Sequence, residues 1–94
     1  MGDALAADAK GRFAVELDEP ATSGYRWMPV GLPAGVSLEG DEVRPGGPAP
    51  GGVRHRVFRF AATQTGRHQL DFELKRPWEE QAAERRQVQV QVGP

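Results

Sequence analysis

The sequence predicts an all-β domain, a two-layer antiparallel sandwich of six to eight strands. Three observations lead there. Apolar residues alternate with polar ones at a period of two in several short runs, which is the signature of strands with one buried face. Twelve glycines and eight prolines in 94 residues punctuate those runs with turns and long connections. An apolar content of 38% suits sheets buried on one side and is low for a parallel sheet buried on both. The length corresponds to a single domain, 1–94.

The first alternating run is 12–18, with Phe13, Val15 and Leu17 on one face. The polar, turn-rich stretch Asp18-Glu19-Pro20-Ala21-Thr22-Ser23-Gly24 follows, and then a second strand with Tyr25 and Trp27 on one face. Pro29, Gly31, Pro33 and Gly35 break the chain before a short run containing Val36 and Leu38. Residues 45–52, Pro-Gly-Gly-Pro-Ala-Pro-Gly-Gly, suit neither a helix nor a central strand, since proline lacks the ladder donor and glycine has nothing to pack.

In 54–62, Arg56, Phe58, Phe60 and Ala62 face one way and His55, Val57 and Arg59 the other. Thr65-Gly66 makes a turn. His68, Leu70, Phe72 and Leu74 then alternate with Gln69, Asp71, Glu73 and Lys75. Beyond Arg76-Pro77-Trp78, the charged and alanine-rich stretch 79–86 reads as a helical turn or a mobile loop. Val88, Val90 and Val92 between glutamines form the last strand. The predicted core is Phe13, Val15, Leu17, Trp27, Leu38, Phe58, Phe60, Leu70, Phe72, Val88 and Val90.

Several functions are disfavoured. A formal charge of −1 lacks the basic surface that releases phosphate counterions, so nucleic acid is not an expected partner. The absence of cysteine removes disulfides, a thiol nucleophile and thiolate metal sites. His55 and His68 fall on different strands with no second ligand at a metal-binding spacing. No nucleophile elbow or P-loop is present, and Ser23 has no local base. The expectation is therefore no catalytic residues, no metal, no cofactor and no enzyme activity. No apolar run is long enough for a membrane span, and residues 1–12 lack a signal-peptide pattern. This points to a soluble cytosolic protein or the mature part of an exported one, monomeric and without a membrane partner.

Three segments carry residues a scaffold does not need. In Pro20-Ala21-Thr22-Ser23-Gly24-Tyr25 the side chains before the tyrosine are small, giving a slim loop, and Gly24 is expected at positive φ. Alone, it reads as an ordinary tight connection. The proline-rich segment with Pro48, Ala49, Pro50, Gly51 and Gly52 is stiff yet permits close backbone approach; alone, it is an ordinary insertion. Arg76, Pro77 and Trp78 set two favoured interface anchors at a strand exit, unless Trp78 folds back on the core.

Taken in order, these segments resemble the signatures of the chagasin family of cysteine peptidase inhibitors. That family carries N-P-T-T-G-[YF] followed by x-W, then G-x-G-G, then R-P-W/F. Here they read P-A-T-S-G-Y-R-W, A-P-G-G at 49–52, and R-P-W. E-L-D-E-P, V-F-R-F and F-E-L-K-R-P-W-E also fit, so the likeness covers nearly the whole chain. The departures are Pro20-Ala21 in place of Asn-Pro, Ser23 for the second threonine and Ala49 for the first glycine; they bear on potency more than on fold.

The resemblance implies an immunoglobulin-like sandwich with three loops at one end and a papain-like cysteine peptidase as partner. Thr22, Ser23 and Gly24 would be the central wedge over the target's catalytic groups, with 45–52 and 76–78 clasping its cleft. From the residues alone, two other readings stand. One is a non-inhibitory immunoglobulin-like adhesion module using a basic patch of Arg54, Arg56 and Arg59. The other is a small-ligand or glycan binder that stacks its ligand on Tyr25 and Trp78.

Overall fold

The computed structural model describes residues 3–21, 24–45 and 52–93. Seven strands follow one another: β1 (Asp3–Ala6), β2 (Arg12–Pro20), β3 (Arg26–Pro29), β4 (Val36–Pro45), β5 (Val53–Ala62), β6 (Gly66–Lys75) and β7 (Glu84–Val92). They form two sheets, one ordered β1-β7-β6-β3 and the other β2-β5-β4. This is the expected immunoglobulin-like sandwich. Four of the five strand pairs are antiparallel, and the β1–β7 pair is parallel.

The strands lie where the alternation places them. Along β2, burial switches at every residue, with Phe13, Val15 and Leu17 inside. On the central strand β5, Phe58 and Phe60 point the same way, and β6 and β7 contribute Leu70, Phe72, Leu74, Val88, Val90 and Val92. Phe60 is completely buried. Its ring stacks on Phe13 at 5.3 Å, meets Phe72 edge-on at 6.1 Å and lies 6.3 Å from Phe58. Such aromatic pairs add about 0.5–1.5 kcal/mol each beyond the area they bury.

Trp27 links the layers. It sits on β3 in one sheet, is 3% exposed, and its indole N–H donates to the Asp18 carbonyl of β2 in the other sheet at 2.7 Å. Replacing it by phenylalanine orphans that carbonyl and leaves a void, so Trp27→Phe is expected to lose about 1–3 kcal/mol, read as a lowered midpoint in thermal denaturation. At the other end, Gly11 at φ 79° lets the chain pass Ala62: a Cβ there would stand 2.2 Å from the Ala62 oxygen. The backbones instead bond, Ala62 N–H to Gly11 O at 2.8 Å.

The structure corrects four expectations. Leu38 is 43% exposed and lies outside the core. It belongs to β4, an outer strand that is irregular between Leu38 and Gly40, and a bulged strand bends away from the opposed layer. Only Val36 of that strand reaches the core cluster. β4 is also a strand of ten residues and not a short run. Residues 84–86 of the anticipated helix or loop belong to β7, paired to Leu74, Glu73 and Phe72. Finally, β1 arises in a segment with no alternation; its partner β7 supplies the ladder.

The direction of the strands sorts the connections between two ends. β2, β4 and β6 run toward one end, and β3, β5 and β7 start from it: the antiparallel registers set the directions within each sheet, and the Trp27–Asp18 bond sets the start of β3 beside the end of β2. The exits of β2, β4 and β6 precede the three segments singled out in the sequence. β7 runs from this end and finishes at Val92, opposite Gly66.

Candidate inhibitory site

The site is built from strand exits. Pro20 closes β2 in register with Val53, the first residue of β5. One step further, the Ala21 N–H donates to the Gly52 carbonyl at 2.9 Å. The stem of the slim loop is thus bonded to the stem of the proline-rich segment.

The return stem of the same loop meets the third segment. Gly24 has φ 79°, as anticipated, and a Cβ at that position would lie 3.3 Å from the Trp78 ring. Tyr25 is half-buried and packs on the edge of the core. The Arg76 guanidinium lies 4.4 Å above the Tyr25 ring and 5.8 Å from the Trp78 ring. A cation over an aromatic face is worth about 0.5–1 kcal/mol in the open and more when desolvated. Arg76 Nε stands 3.9 Å from a Glu79 oxygen, and the Glu79 N–H closes the turn on the Arg76 carbonyl at 3.0 Å. Arg76 therefore braces the loop from within. Pro77 is exposed, and Trp78 is 71% exposed. An indole that open is far from the buried alternative and free to enter a partner's surface.

Of the anticipated residues, the structure brings together Pro20, Ala21, Gly24, Tyr25, Gly52, Arg76, Pro77 and Trp78 at one end. Thr22, Ser23, Pro48, Ala49, Pro50 and Gly51 lie outside the described residues. Arg54, Arg56 and Arg59 do not form a patch. Arg56 is buried on the core side of β5 and Arg54 shares that side, whereas Arg59 pairs with Glu42 on the outer face. His55 faces Asp18 at 2.7 Å and His68 the Gln64 carbonyl at 2.9 Å, on separate strands. Among the described residues no three His, Cys, Asp or Glu side chains gather to hold a metal ion.

Sequence reasoning passed over Glu19. It is fully buried and bonds Arg56 through both oxygens, at 2.5 and 3.2 Å. The hydrogen bond to Glu19, ahead of the cost of burial, raises the Arg56 pKa above its ordinary value, so this guanidinium stays charged. The signal was present: Glu19 continues the inward series Phe13, Val15, Leu17, just as Arg56 precedes Phe58 and Phe60 on theirs.

A family model described as chagasin family peptidase inhibitor I42 matches residues 7–92. The chain belongs to the chagasin family. It is accordingly an inhibitor of papain-like cysteine peptidases that acts without a covalent bond, and membership in an inhibitor family, not a missing catalytic group, is what makes it a non-enzyme. The fold is shared with solved structures. The cysteine protease inhibitor EhICP2 from Entamoeba histolytica superposes with a TM-score of 0.76 at 19% identity, over 98% of this chain and 87% of that one. The solution structure of Amebosin gives 0.67 at 22% identity over 99% of both chains. No curated protein matches the chain significantly. No helix among the described residues is long and apolar enough to cross a membrane.

Proposed function

We propose that the inhibitor blocks its peptidase with three neighbouring segments. Pro20, Ala21, Thr22, Ser23, Gly24 and Tyr25 form the wedge. Pro48, Ala49, Pro50, Gly51 and Gly52 flank it on one side, and Arg76, Pro77 and Trp78 on the other. The observation that carries this reading is the joining of the stems: Ala21 to Gly52 by a hydrogen bond, Gly24 to Trp78 by a ring so near that an added Cβ would lie 3.3 Å from it, and Tyr25 to Arg76 by stacking.

Physically, the wedge fills a narrow cleft without offering a bond for cleavage. Hydrolysis needs a carbonyl held in line with the nucleophile and pointed into an oxyanion hole. A backbone passing the thiolate in another orientation denies both. Trp78 meets the cleft rim as an aromatic anchor, and Arg76 keeps it aimed. Strands holding the segments at both ends reduce the ordering cost that a free peptide would incur on binding. An interface of about 800 Å² per partner suffices, and nanomolar affinity corresponds to about −12 kcal/mol.

Titration into a papain-like enzyme tests the reading: residual activity should fall linearly to zero at one inhibitor per active site. Trp78→Ala should retain the parent's melting temperature, since the ring is mostly exposed, while weakening inhibition by at least about 1–2 kcal/mol, or roughly five- to thirty-fold. Unchanged inhibition by a folded Trp78→Ala variant would remove the indole from the site.

A further inference from the structure

Beneath the joined stems lies an ionic cluster, centred on the buried Glu19–Arg56 pair, that the blocking mechanism does not use. Glu19 is the penultimate residue of β2 and is inaccessible to solvent. Its carboxylate accepts from Arg56 Nε and, at 3.2 Å, from Arg54 Nη2, both on β5. The Arg56 Nη1 donates in turn to Asp41 of β4 at 3.0 Å. The Arg56 guanidinium of β5, held by Glu19 of β2 on one side and Asp41 of β4 on the other, thus ties the three strands of a sheet together just below the points where the wedge and the proline-rich segment leave it. Pro20 and Ala21 follow Glu19 directly in the chain, and Arg54 stands two residues after Gly52, the acceptor of the Ala21 N–H.

A buried ionic cluster is a poor choice for stability alone. Withdrawing charges from water is costly, and well-packed apolar residues in their place are commonly neutral or better. What directional, charge-assisted hydrogen bonds supply and apolar packing does not is a fixed geometry between strands. We infer that Glu19 is a positioning residue for inhibition: acting through Arg54 and Arg56, it sets the angle and spacing at which the stems of the wedge and the proline-rich segment leave the sheet. The inference rests on the three-segment reading above, and its effect reaches the peptidase only through those stems.

The experiment compares Glu19→Gln, which keeps the shape and removes the charge, with Val92→Ala, a core truncation at the opposite end of the sandwich. Inhibition constants against papain are read beside amide and indole NMR shifts. Glu19→Gln should raise the inhibition constant by about tenfold and move the amide signals of Ala21, Gly24 and Gly52. Val92→Ala should lower the melting temperature yet leave those signals, and inhibition, within about twofold of the parent. Equal inhibition by the two variants, with the stem amides unmoved, would overturn the assignment. Should Glu19→Gln not fold, Arg54→Met gives the same two readouts while keeping the Glu19–Arg56 pair, and unmoved stem amides there would likewise overturn it. If the parent itself fails to inhibit papain, the three-segment reading is at fault, and the amide shifts alone decide whether Glu19 positions the stems.

Discussion

Phe60→Ala is expected to remove about 3–5 kcal/mol of folding free energy, the range for truncating a phenylalanine in a packed interior. The ring has no exposed surface, sits on the central strand of its sheet and touches Phe13, Phe58 and Phe72. Its registered neighbour on β2 is Phe13, so the cavity would open between β2 and the layer carrying Phe72 and could not be closed by a single side-chain rotation. Against a net stability of about 5–15 kcal/mol, this loss takes from about a fifth to all of the margin. Urea titration measures it directly as a fall in midpoint with an unchanged slope. A loss under about 1 kcal/mol would mean that the aromatic cluster does not organise the core.

Gly24→Val should do the reverse, sparing the fold and disabling the inhibitor. At φ 79° a side chain is strained by about 1–2 kcal/mol, and a β-branched one more so. Any Cβ there also presses within 3.3 Å of the Trp78 ring. Relief comes either from rotating the wedge stem or from pushing the indole aside, and each disturbs two of the three contact segments together. Inhibition should weaken by at least about thirtyfold, equivalent to about 2 kcal/mol. Gly24 is exposed and makes no core contact, so the fold should be retained with the loss limited to that strain, a fall of roughly 4–15 °C in melting temperature. A Gly24→Val protein that inhibits as well as its parent would show that the wedge does not depend on this turn.

Much of this molecule was legible before any coordinates. Phe13, Val15, Leu17, Phe58, Phe60, Leu70, Phe72, Val88 and Val90 were readable as core because a strand's period of two leaves no ambiguity once one face is apolar. Gly24 was readable as a positive-φ turn because little else fits between a loop and the strand bearing Trp27. What escaped has a common cause. β1 has no pattern of its own and exists through its partner's ladder, and the exposure of Leu38 depends on a bulge, which alternation cannot foresee. Glu19 was passed over inside a polar stretch although it continues the inward positions of β2, and Arg56, read on the side of Phe58 and Phe60, was also offered to a basic patch that the structure does not form. Pairing across the sheet, invisible to either segment alone, is what lets two charges share the interior. Motif order singled out the three segments, but the Ala21–Gly52 bond and the closeness of the Trp78 ring to Gly24 are properties of neighbours distant in sequence.

The course of β7 bears on how the protein can be handled. That strand leaves the contact end at Glu84 and finishes, some nine residues later, at the far side of the sandwich beside Gly66, a run of about 30 Å at the usual rise per residue. A dye, a bead or a fused partner attached beyond Gly93 would consequently sit on the back of the molecule and, on the three-segment proposal, leave the peptidase approach unobstructed, whereas the same cargo inserted between Trp78 and Glu84 would stand in the doorway.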